Sequence, residues 1–84
     1  MNTAALHKKL ILQALLEQRG MTVKRDALFA QVNFSADPVC TETEFDALLA
    51  ELEHGKRVTL VRNADTQMLR VGITANGVAA LSEM

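Results

Sequence analysis

The stretch Thr41-Glu-Thr-Glu-Phe45-Asp-Ala-Leu-Leu49-Ala-Glu-Leu52-Glu-His-Gly55 reads as one amphipathic helix with both ends marked. Thr41 and Glu44 have the spacing of a capping box, in which each side chain satisfies a backbone N–H at the other end of the first turn. Phe45, Leu48, Leu49 and Leu52 project within an arc of about 100°, the width of one buried helix face. Gly55 closes the helix after His54. The same segment carries Glu42, Glu44, Asp46, Glu51 and Glu53 but no lysine or arginine, a formal charge of −5. The whole chain has net charge −1, so the remainder carries +4.

After this helix the hydrophobic period changes from helical to alternating. Val58-Thr-Leu-Val-Arg62 is rich in β-branched residues and predicts a strand. Residues 63–66, Asn-Ala-Asp-Thr, predict a turn. In residues 68–73, Leu69, Val71 and Ile73 share one face while Met68 and Arg70 share the other. The two strands therefore form a hairpin with one face covered. Thr74 caps a short last helix with Val78 and Leu81 directed inward. Gly77 in that helix is expected to weaken it by about 1 kcal/mol relative to alanine.

Before the acidic helix, residues 33–40 read as a loop, because Pro38 disfavours helix at Asp37. A second helix spans about residues 24–33, with Leu28, Phe29 and Val32 inward. Met21-Thr-Val23 is a connector of β character. The first helix covers residues 3–19, capped by Asn2 or Thr3 and stopped at Gly20. Leu6, Leu10, Ile11, Ala14 and Leu15 form its broad apolar arc. Leu12 and Leu16 lie outside that arc, on a second stripe. Either the last helix buries this stripe, or a second copy of the chain does, which would make Leu12 and Leu16 a dimer seam.

At 84 residues, 49% apolar and 23% charged, the chain is expected to form one globular domain. Its near-neutral charge excludes a broadly basic nucleic-acid arm and a polybasic membrane patch. Cys40 is the single cysteine, so there is neither an intrachain disulfide nor a thiolate metal cluster. The apolar run at residues 10–16 is broken by Gln13 and falls far short of the roughly 20 residues of a membrane span. A soluble, reduced, cytoplasmic protein is expected, with no membrane partner.

Catalytic sets are not evident. His7 and His54 lie far apart in sequence, without metal-ligand spacing. Cys40 lacks a base or oxyanion signature nearby. There is no glycine-rich phosphate loop. With no Trp or Tyr, and only Phe29, Phe34 and Phe45 aromatic, a base-stacking platform lacks its material. The reading is of a protein that is not an enzyme and needs no metal or cofactor.

The order of elements is helix, short strand, helix, helix, hairpin, helix. Phe45-x-x-Leu-Leu-x-x-Leu-x-x-Gly-Lys-Arg-Val resembles the third helix of a winged helix-turn-helix domain running into its first wing strand. Arg70-Val-Gly-Ile-Thr-x-x-Gly-x-x-Ala-Leu resembles the second wing strand and closing helix of small bacterial MarR-like and PadR-like transcriptional regulators. The resemblance covers about residues 6–81. It implies an α+β winged-helix fold with a three-helix core, a two-stranded hairpin wing and a short C-terminal helix. It also implies a homodimeric, DNA-binding regulator whose third helix enters the major groove.

On that reading Lys24 and Arg25, at the start of the second helix, and Arg57, Arg62 and Arg70, in the wing, hold phosphates. Thr41 and Thr43 are then the candidates for reading base edges. Thr59, Arg62 and Arg70 share the hairpin's outer surface if the register allows. Two features depart from the family pattern. The loop at residues 33–40 exceeds the usual turn of about 3–4 residues. The third helix is acidic, which opposes entry between phosphate strands. The alternative is a winged-helix protein-interaction module that does not bind DNA and meets a basic partner through Glu42, Asp46, Glu51 and Glu53.

Overall fold

The stripe read from residues 45–52 is the centre of the core. In a computed structural model, which describes residues 3–18, 21–36, 39–66 and 68–83, Phe45, Leu48, Leu49 and Leu52 are all buried. The described chain is α+β. Its elements are α1 (Thr3–Glu17), β1 (Val23–Lys24), α2 (Arg25–Ser35), α3 (Glu42–His54), β2 (Val58–Arg62), β3 (Leu69–Ile73) and α4 (Ala75–Glu83). The expectations placed on Asn2, Arg19, Gly20, Asp37 and Pro38 lie outside the described residues. Among those described, no helix is long and apolar enough to cross a membrane.

α3 begins as its sequence dictates. The Glu44 N–H donates to Thr41 Oγ1 at 3.2 Å, and the Thr41 N–H donates to Glu44 Oε1 at 3.1 Å. It ends after His54 with Gly55 as the cap, as expected, and the left-handed residue that follows is a lysine. Gly55 has φ −80°, and Lys56 takes the left-handed conformation with φ 60°. The Lys56 N–H donates to Glu53 O and the Arg57 N–H to Leu52 O, both at 2.9 Å, so these two carbonyls at the end of the helix are satisfied. A left-handed lysine costs about 1–2 kcal/mol, partly offset because glycine adds entropy to the unfolded chain. Lys56→Gly should therefore raise the unfolding free energy by about 0.5–1 kcal/mol in urea titration.

The hairpin is one part of a larger sheet. The short strand expected before the second helix joins the hairpin: β1 pairs with β3, giving three antiparallel strands in the order β1-β3-β2 where the sequence predicts a two-stranded wing. Val23 and Lys24 face Val71 and Arg70 across the ladder. On the other side Val58, Leu60 and Arg62 face Ile73, Val71 and Leu69. Directly paired residues share a face, and neighbours along a strand alternate. Val58, Leu60, Arg62, Leu69, Val71 and Ile73 therefore share the core side. Thr59, Val61, Arg70 and Gly72 lie on the other. Arg62 and Arg70 stand on opposite faces, so the shared outer surface expected for Thr59, Arg62 and Arg70 does not form.

α4 docks through small residues. The Thr74 hydroxyl accepts from the Gly77 N–H at 3.0 Å and donates to Lys56 O at 2.6 Å. Gly77 and Ala80 are the buried positions. Val78, expected inward, is 39% exposed, and Leu81 is half-buried against the core. The reason is the closeness of α4 to the backbone at Arg57, which admits only a side chain as small as hydrogen.

α1 packs against α2, α3, β3 and α4. This many-sided cover buries Leu12 completely, with 0% of its surface exposed. Leu12 is therefore a core residue of its own chain and is withdrawn from the dimer seam. Leu16 remains 41% exposed. The connection from α2 to α3 is pinned by Asn33, whose amide Nδ2 donates to Cys40 O at 2.9 Å and whose Oδ1 accepts from the Cys40 N–H at 2.8 Å. Cys40 itself is buried.

Candidate functional site

Arg25 opens α2, and its guanidinium points across to α3. It donates to Asp46 Oδ1 at 2.9 Å, to Glu42 Oε1 at 3.0 Å and to Asp26 Oδ1 at 2.9 Å. Glu42 and Asp46 can meet one cation together because they are four residues apart, on one side of the helix. The guanidinium carbon also lies over the rings of Phe29, at 5.2 Å, and Phe45, at 5.3 Å. Those rings meet edge to face with centroids 5.1 Å apart. Only 13% of the Arg25 side chain is exposed. Burial by itself would lower its pKa, but the bonds to Asp26, Glu42 and Asp46 outweigh that and raise it. Arg25 is a charged pin between α2 and α3.

Beside this pin lies a half-open groove of about 620 Å³, between α3 and the hairpin. Leu49 and Ala50 of α3 line one wall, and Leu60, Met68 and Leu69 of the hairpin line the other. Asp26, Glu42 and Asp46 bring carboxylates to it, and Lys24, Arg25 and Arg62 bring an equal number of cations. Thr43 also lines it.

The residues expected to grip phosphate do not form one surface. Lys24, Arg25, Thr43 and Arg62 all line the groove, with Arg25 held there by three carboxylates. Thr41 is committed to the capping box. Arg70, half-buried on the opposite sheet face, donates to Thr22 Oγ1 at 2.8 Å and to Thr22 O at 2.7 Å. Arg57 is exposed just before β2, and its carbonyl accepts from the Thr74 N–H at 3.0 Å.

The acidic face is also less bare than its sequence. Arg25 answers Glu42 and Asp46, and Lys8 of α1 pairs with Glu51 at 3.1 Å. Glu44 belongs to the capping box, whose backbone hydrogen bond from Thr41, followed by the Thr41 hydroxyl, holds its carboxyl below the usual range. Glu53 is exposed and does not line the groove.

Leu16 shares a surface depression with Leu81, Gln13 and Glu17. Burial, and secondarily Glu44, pushes the Cys40 thiol up, away from the reactive thiolate. His7 is buried in α1. Among the described residues, no three His, Cys, Asp or Glu side chains are placed to hold a metal ion.

No protein-family model, curated protein or solved structure matches this chain. Sequence reasoning missed both the Arg25 pin and the apolar walls of the groove. A signal for the pin was present: an arginine at a helix start, an aromatic residue four positions later, and acids at positions 42 and 46.

Proposed function

We propose that the chain is a winged-helix-type domain that works by binding another protein and does not grip DNA. The order of elements and the pairing of β1 with β3 support the winged-helix reading. The observation that carries the functional reading is the capture of Arg25 by Asp26, Glu42 and Asp46. A phosphate arriving at the start of α3 would have to compete with three carboxylates for that arginine. It would meet repulsion where DNA-binding proteins gain affinity by releasing counterions. With Arg62 and Arg70 on opposite faces, the hairpin supplies no paired phosphate clamp. Self-association through Leu16 and Leu81 is compatible with this role, since neither residue lines the groove.

The test is fluorescence anisotropy with mixed-sequence duplex DNA over a range of salt. No binding is expected even at about 50 mM salt. Micromolar binding that falls steeply as salt rises would overturn the proposal. It would return Lys24, Arg57 and Arg62 to the role of phosphate contacts.

A further inference from the structure

We infer that the outer edge of β2 joins the same edge of a second copy of the chain, so that two three-stranded sheets become one sheet of six strands. This contact is independent of the protein-binding reading above. The order β1-β3-β2 leaves one side of β2 without a neighbouring strand. The phase of the ladder decides which main-chain groups face that side. The Thr74 N–H donates to Arg57 O at 3.0 Å and the Asn63 N–H to Met68 O at 2.9 Å, both in the register of the β2–β3 pair. Hydrogen-bonded positions alternate along an antiparallel strand, so Arg57, Thr59, Val61 and Asn63 face β3. Val58, Leu60 and Arg62 turn their N–H and C=O groups outward. Val58 is only 2% exposed, which leaves Leu60 and Arg62 to offer the open groups. The register runs through β2 without a bulge, and the strand holds no proline or lysine, the usual means of closing an edge.

Of the twofold registers along β2, one fits. An axis at Thr59 or Leu60 brings in the covered Val58 of the other copy. An axis at Arg62 sets that residue against itself, and like charges directly opposite are destabilising. An axis at Val61 pairs Leu60 of each copy with Arg62 of the other. The two open donors and two open acceptors of each copy then satisfy those of the other. Val61, 51% exposed on the face away from the core, meets its own counterpart as a β-branched pair. The same register brings Arg57 level with Asp65 of the other copy. Both are exposed, and neither forms an ion pair among the described residues. The edge is complementary to itself in hydrogen bonds and in charge, as a twofold contact requires.

The experiment follows the full chain by sedimentation and amide hydrogen exchange as its concentration rises to about 1 mM. A dimer is expected, and exchange at the Leu60 and Arg62 amides should slow at least about tenfold as it forms. With ¹³C in one copy only, a nuclear Overhauser contact between the two Val61 side chains is expected. Val61→Lys places two cations at the axis and should weaken the dimer at least about tenfold. That residue lies outside the core, and retained circular dichroism would show that the variant is folded. Arg57→Glu should weaken the dimer about twofold to fivefold, and Asp65→Lys in the same chain should restore it. Leu16→Glu, on α1, should leave it within about twofold.

A chain that stays monomeric at about 1 mM overturns the inference. So does a dimer that Leu16→Glu dissociates and Val61→Lys does not. A dimer whose Leu60 and Arg62 amides exchange as fast as in the monomer overturns it too. Each of these results leaves the protein-binding reading standing, because that reading falls only if duplex DNA binds.

Discussion

Gly77→Ala is expected to destabilise the fold by about 2–3 kcal/mol, lowering Tm by roughly 10–20 °C. By helix propensity alone the substitution should stabilise α4 by about 1 kcal/mol, so the expected sign is the reverse of the local rule. A Cβ at Gly77 would stand 2.2 Å from Arg57 O and 2.7 Å from Ile73 Cγ1. The side chain of Ile73 can turn, but the Arg57 carbonyl cannot easily withdraw. It accepts from the Thr74 N–H, and the N–H of the same residue donates to Leu52 O at the end of α3. Moving this peptide loosens the end of α3, the start of β2 and the cap of α4 together.

Gly55→Ala is the control. Gly55 has φ −80°, and a Cβ there would lie 3.6 Å from its nearest neighbour, an ordinary contact. That variant should stay within about 0.5 kcal/mol of the parent or gain slightly. Thermal and urea unfolding of both variants would measure the difference. A Gly77→Ala protein as stable as the parent would show that α4 does not sit this close to Arg57.

These two glycines show which parts of the fold could be read in advance. The capping box, the α3 stripe and the strand at residues 58–62 are local patterns, with every partner within a few positions. Where packing distance decides, the pattern is silent. Hydropathy assigned Val78 to the core of α4, although the approach of that helix to a backbone carbonyl selects Gly77 and Ala80 instead. Leu12 looked surplus because a helical wheel assumes cover from one side, whereas α1 is covered by several elements. The alternation of β3 and the β character before α2 were legible, but the pairing of that short strand with the far edge of β3 was not, since β1 contributes only Val23 and Lys24. Arg62 and Arg70 looked alike until the register separated them. The acidic helix seemed to lack a cation because Arg25 lies 17 positions from Glu42 and 21 from Asp46. Only the packing of α2 on α3 brings them together.

Arg25→Ala should lower stability by about 2 kcal/mol, with a larger loss at low salt than at high salt. Exposed ion pairs alone each contribute at most about 1 kcal/mol. Here one shielded guanidinium also covers two aromatic rings, which adds roughly 0.5–1 kcal/mol. Its removal leaves Asp26, Glu42 and Asp46 near one another without the guanidinium that bonds all three, and salt screens that repulsion. Arg25→Met separates the contributions. A methionine stem still covers Phe29 and Phe45 but cannot answer the carboxylates, so it should recover part of the loss and keep the salt sensitivity. Urea unfolding of the three proteins at low and high salt would provide the comparison. A free phosphate-binding arginine behaves in the opposite way, because removing it changes stability little and relieves no carboxylate cluster. If Arg25→Ala stayed within about 0.5 kcal/mol of the parent at both salts, the pin would be absent and the guanidinium free to meet a phosphate. The expected loss instead assigns Arg25 to the joint between α2 and α3.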